Sequence, residues 1–134
     1  MKITADTNLL VRVAVGDDPR QAAAAAGALR TAEAIAVTLP ALCEFVWVLS
    51  RWYKRDVRDI AAAIRRLIDS ATVRVDRPAV EAGLVLLEAG GDFAGGVIAF
   101  EGRRLGGEVF VSFDADAVRR TKAGGAEAVL LAGA

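Results

Sequence analysis

Lys2-Ile3-Thr4-Ala5-Asp6-Thr7-Asn8-Leu9-Leu10 opens the chain with a short β-branched and aliphatic run. It gives way, through an acid, a hydroxyl and an amide, to a helical pattern. Working outward, the same grammar recurs. Lys2 to Ala5, Ala34 to Thr38, Thr72 to Val75, Val109 to Phe113 and Ala128 to Leu131 read as strands with one or both faces buried. Asn8 to Val15, Pro19 to Thr31, Pro40 to Lys54, Val57 to Ser70, Pro78 to Ala89, Phe93 to Leu105 and Asp116 to Lys122 read as helices, with prolines near three of the starts. This alternation predicts an α/β fold with a mostly parallel sheet and helices on both of its faces. In such sheets functional residues gather beyond the carboxyl ends of the strands, where Asp6 and Asp114 fall.

Composition bounds what the chain can do. At 134 residues it is expected to form one unit, residues 1–134, burying roughly two-thirds of its unfolded surface. An apolar fraction of 54% is rich for a soluble domain and suggests apolar surface covered by another chain. The formal net charge is zero, so contact with nucleic acid would rest on local patches. Cys43 is the only cysteine, which leaves no intramolecular disulfide and suits a reducing cytoplasm. No apolar run reaches the length of a membrane span and the first ten residues include an acid, so a soluble, unexported protein is expected. The Ala22 to Ala26 run reads as helix-favouring composition, and Gly90-Gly91 and Gly124-Gly125 as loop punctuation.

There is no histidine, so Ser-His-Asp and Cys-His nucleophile systems are excluded, as is any imidazole metal ligand. Hydrolysis by a divalent metal held on oxygen ligands is the enzymatic chemistry best supported. Asp6 can bind a metal directly while Thr7 or Asn8 orients it or a bound water; otherwise any of the three can cap the next helix. Glu44 stands alone in the apolar stretch Leu42 to Leu49 and needs a cation, a polar cleft, solvent or a pairing with Arg51. Phe110-Val111-Ser112-Phe113-Asp114-Ala115-Asp116 ends a strand with a hydroxyl and an acid sent to the same side. Asp114 there reads as a ligand and Asp116 as the cap of the following helix. Arg51, Lys54, Arg55 and Arg58, and farther on Arg103, Arg104, Arg119, Arg120 and Lys122, read mainly as solvated helix faces, with phosphate contact open for some. Phe45, Trp47, Trp52 and Tyr53 read as packing residues, a dimer face included, in preference to base stacking.

Taken in order, Asp6-Thr7-Asn8, the helix bearing Glu44, Gly91-Asp92-Phe93-Ala94 and Ser112-Phe113-Asp114 make the chain resemble the PIN-domain ribonucleases, and among them the VapC-type toxins of toxin–antitoxin pairs. The resemblance implies a three-layer domain whose central sheet is flanked by helices. It also implies an acidic site binding Mg²⁺ or Mn²⁺ that activates water for in-line attack on an RNA phosphodiester. Asp6, Glu44 and Asp114 take the catalytic roles, with Asp6 and Asp114 on the metal and Thr7, Asn8, Asp92, Ser112 and Asp116 in support. A VapB-like antitoxin, an RNA substrate and a homodimer are the implied partners.

One position departs from the pattern. Where family members commonly read Asp-Phe-Ala-Asp, this chain reads Asp92-Phe93-Ala94-Gly95, so the third acid is replaced by Gly95. Asp92 remains, and its simplest role is to cap the helix starting at Phe93. A lost carboxylate forfeits an interaction of several kcal/mol, taking about 4 kcal/mol per unit-charge pair at about 4 Å and an effective dielectric of about 20. Impaired metal binding and impaired hydrolysis follow, and a catalytically silent PIN domain that binds an antitoxin or regulates is the alternative. A phosphotransferase or receiver-like domain with Asp6 as nucleophile is weaker, because Asn8 stands where a second acid would be wanted.

Overall fold

The computed structural model describes residues 1–133. They divide into two compact units, one ending at Arg77 and one beginning at Pro78.

The first unit alternates strand and helix. It contains β1 (Lys2–Thr4), α1 (Thr7–Val15), α2 (Pro19–Thr31), β2 (Ala34–Ala36), α3 (Leu39–Arg51), α4 (Val57–Ile68) and β3 (Val73–Arg74). The strands form one parallel sheet in the order β1-β2-β3, with Ile3 opposite Ile35 and Ile35 opposite Val73. Parallel neighbours need crossovers, and α1–α2 and α3–α4 supply them. Side-chain caps set the helix starts: Asp6 on α1, Asp18 on α2, Thr38 on α3 and Asp56 on α4 each accept a backbone N–H of the first turn. The core is built on helical periodicity. Ile60, Ile64 and Ile68 of α4 recur every fourth residue and are buried, as are Leu42, Phe45, Val46 and Leu49 of α3. Each such side chain contributes roughly 1.5–3 kcal/mol by leaving water.

The second unit holds α5 (Arg77–Glu88) from its second residue on, then α6 (Phe93–Arg104), β4 (Phe110–Ser112), α7 (Ala115–Ala123) and β5 (Ala128–Leu130). Here β4 and β5 pair in parallel, Phe110 opposite Ala128, with α7 as the crossover. Glycines set the approach of α5 and α6. A Cβ on Gly83 would stand 2.6 Å from the Phe93 ring, and one on Gly96 would stand 2.6 Å from the Ala82 carbonyl oxygen. Both positions exclude any side chain, and Phe93, Val97, Val80 and Leu84 fill the core around them.

All twelve expected elements form and every strand pair is parallel. The strands are shorter than their apolar runs and lie in two sheets, of three and two strands. Among the described residues no helix is long and apolar enough to cross a membrane.

Candidate active site

The acid after β1 is held by both flanking elements. Ala5 extends the sheet by donating to the Ala36 carbonyl at 3.0 Å, which places Asp6 directly beyond the carboxyl end of the strand. Asp6 caps α1: its Oδ1 accepts the Thr7 N–H at 2.9 Å and its carbonyl accepts from Leu9 and Leu10. The cap occupies one carboxylate oxygen, so capping and metal binding are compatible. Asp6 and Asn8 are exposed, and Thr7 is buried in the first turn.

Glu44 is exposed on α3, with no hydrogen bond or ion pair among the described residues. The pairing with Arg51 is not made; the two lie seven residues apart, nearly two turns, beyond the reach of the i,i+4 geometry that joins helical ion pairs.

The acid after β4 repeats the arrangement of Asp6 with more contacts. Asp114 caps α7, its Oδ1 accepting the N–H groups of Asp116 at 2.9 Å and Ala117 at 3.1 Å. Ser112 Oγ accepts the backbone N–H of Asp114 at 3.0 Å, a turn contact beyond the end of β4. That bond leaves the Ser112 proton available to a phosphate oxygen.

Asp116 departs from expectation. It lies in the first turn of α7 and is not the cap, because Asp114 takes that place. Its Oδ1 is bonded to Arg119 and its Oδ2 to Arg120 Nε at 2.8 Å. The hydrogen bond from Arg120, aided by the charges of both arginines, holds the Asp116 carboxyl below its ordinary value. With both oxygens committed, Asp116 is the least available of the acids.

Asp92 occupies the N-cap position of α6 but makes no side-chain cap bond, so the capping expected of its carboxylate does not occur. It is exposed, and its Oδ2 lies 3.8 Å from where a Cβ on Gly95 would stand. Gly95 itself is ordinary helix with room for a side chain, whereas its neighbour Gly96 has none. Packing therefore demands the second glycine of the pair and not the first.

By chemistry, these acids suit a hard divalent cation: among the described residues Asp6 and Asp114 each keep an oxygen without a protein partner, and Glu44 keeps both. Among the described residues no three His, Cys, Asp or Glu side chains group as a metal ion would need. A cavity of about 370 Å³ in the first unit, between Leu10, Phe45, Ala63 and Leu67, includes none of the acids.

Arg120 is not the solvated helix-face cation its place in the sequence suggests, its side chain being only 23% exposed. Its guanidinium also donates to the Ala89 carbonyl at 2.5 Å, and its chain crosses Gly91, where a Cβ would stand 2.6 Å from Arg120 Cδ. Gly90-Gly91 is thus a bed for an arginine as well as loop punctuation. The doublet was visible in the sequence; its partner thirty residues away was not.

Asp6 and Asp114 thus each follow a parallel strand of an α/β chain and cap the next helix through one oxygen. The PIN domain profile matches residues 3–123, nearly the whole chain. The chain belongs to the PIN-domain family. Comparison with curated proteins gives no match. Among solved structures, the Mycobacterium tuberculosis toxin VapC20, described as cleaving the sarcin–ricin loop, is 20% identical with a TM-score of 0.45, covering 97% of this chain and 100% of that one.

Proposed function

We propose that this chain is a VapC-type PIN ribonuclease, built to hydrolyse RNA phosphodiesters with Mg²⁺ or Mn²⁺ and impaired by Gly95. Its partners on this reading are a VapB-like antitoxin and a second copy of the chain, in the cytoplasm. The supporting observation is the repeated arrangement of Asp6 and Asp114: each follows a parallel strand, caps a helix and keeps one carboxylate oxygen free. Asp6 and Asp114 would hold the ion and Glu44 would act with them as a catalytic acid, the family's third acid being absent at Gly95. When bound, the ion would supply an activated water and charge stabilisation at the phosphoryl group. The chain's own groups orient the rest: the Thr7 N–H fixes Asp6, two N–H groups fix Asp114, and the Ser112 hydroxyl is free to donate.

The catalytically silent binding module is a second reading, favoured by the lack of a three-acid group among the described residues. Cleavage of a mixed cellular RNA pool with Mn²⁺ separates the two. The expected result is cutting by the Gly95→Asp chain, little by the chain itself, and none by Gly95→Asp combined with Asp6→Asn. If no chain cuts, the silent module is the better reading. If the unmodified chain cuts as fast as Gly95→Asp, the glycine is no impairment.

A further inference from the structure

The exposed face of α3 joins one acid to a row of aromatic and basic groups. Glu44, Trp47 and Arg51 recur at i, i+3 and i+7 on one side of the helix, and Trp52 caps its end. They cover roughly 10 Å at about 1.5 Å per residue. Trp47 is 54% and Trp52 72% exposed, against 3% for Phe45 of the same helix, so packing within the chain explains the phenylalanine and neither tryptophan. Just past the helix end in sequence come Lys54, Arg55 and Arg58, all exposed, with the exposed acids Asp56 and Asp59 among them. None of these four cations, Arg51 included, has a side-chain partner among the described residues. Lys54 is also the one non-glycine residue described with a positive φ, 52°.

We infer that this face is a track for single-stranded RNA, with bases stacking on Trp47 and Trp52 and phosphates met by Arg51, Lys54, Arg55 and Arg58. The inference rests on the ribonuclease reading for its choice of RNA. Base stacking needs flat exposed rings, phosphate contact needs uncommitted cations, and this segment has both side by side. The zero net charge of the whole chain makes a local concentration of unpaired cations the feature that would attract a polyanion. At one end stands Glu44, so a strand lying on the track leads to an acid assigned to the chemistry. A second copy of the chain is the competing occupant, since exposed tryptophans also suit a dimer face.

Trp47 and Trp52 are the only tryptophans in the chain, so intrinsic fluorescence reads this surface without needing cleavage. Titrating a short oligouridylate into the full chain is expected to quench the emission. Trp47→Ala should remove most of the quenching and weaken binding roughly tenfold or more, the range of one lost stacking contact. Arg51→Ala should lower the slope of log affinity against log salt by about 0.7, one phosphate on a single strand. All these side chains are exposed, so circular dichroism should be unchanged. Emission indifferent to RNA overturns the track. So does emission that shifts with protein concentration alone, with Trp47→Ala turning a dimer into a monomer. RNA binding without cleavage by the Gly95→Asp chain would sink the nuclease reading and leave the track; cleavage with no tryptophan response would do the reverse.

Discussion

Two adjacent glycines carry opposite constraints. At Gly96 the backbone of α5 comes so close that a Cβ would stand 2.6 Å from the Ala82 carbonyl oxygen and 2.9 Å from Gly83 Cα. Neither atom is the end of a flexible side chain, so α5 and α6 would have to separate. Gly96→Ala is therefore expected to destabilise the fold by about 1–3 kcal/mol, the usual range for overpacking. At Gly95 a Cβ meets nothing nearer than Asp92 at 3.8 Å, and Gly95→Ala should stabilise by up to about 1 kcal/mol through helix propensity. Urea denaturation of the two variants checks both signs; equal effects would mean that α5 and α6 do not cross as described. The contrast also bears on the origin of the glycine, because packing accounts for one member of the pair only.

At the scale of elements, two side-chain clasps join segments that are distant in sequence. Arg120 ties α7 to the loop after α5 through the Ala89 carbonyl and needs Gly91 bare beneath it. Gly91→Ala should displace the arginine, so its cost and that of Arg120→Ala overlap. A double-mutant cycle is expected to show a coupling of about 0.5–3 kcal/mol, whereas strict additivity would separate the two residues. In the first unit, Tyr53 donates to Asp17 at 3.0 Å and Arg12 donates to the same carboxylate at 2.7 Å, joining the turn after α1 to the end of α3. The tyrosine bond, then the arginine, holds the Asp17 carboxyl below its ordinary range. A depressed carboxyl contributes stability that is fully present above its unfolded value and lost as pH falls through its folded one. Asp17→Asn and Tyr53→Phe should therefore lose stability at neutral pH and show a shallower acid limb below about pH 4. Melting curves from pH 2 to 7 would show it, and an unchanged acid limb would mean the clasp is open in solution. Neither clasp was legible in the sequence, because each joins residues more than thirty positions apart. The helices were legible, because their apolar spacing, prolines and capping acids are local signals. Caps explain the differences at two helix starts, where Asp6 starts α1 at Thr7 and Asp114 in place of Asp116 starts α7 at Ala115; α3, expected to reach Lys54, ends at Arg51. Strand pairing depends on distant partners, so direction could be anticipated and the division into two sheets could not.

At the scale of the whole chain, the acids can be tested through stability, independently of any substrate. Without metal, an added carboxylate at position 95 would face the exposed Asp92, whose Oδ2 lies 3.8 Å from the new Cβ. Like charges at that range oppose each other, and the helix N-terminus offsets part of the cost. The Gly95→Asp chain is therefore expected to melt at or slightly below the temperature of the chain itself in the presence of a chelator. Mn²⁺ should reverse the order. A ligand that binds only the folded state at about 100 times its Kd adds about 2.7 kcal/mol, which for a chain of this size is a rise of several degrees in Tm. The unmodified chain should rise less at the same Mn²⁺ concentration. Adding Asp6→Asn to Gly95→Asp should erase the gain, because that change removes a charge and leaves an oxygen able to cap α1. Equal metal-induced shifts in the chain and in Gly95→Asp would mean that position 95 contributes no ligand. A shift that survives Asp6→Asn would place the bound ion away from the acid that follows β1.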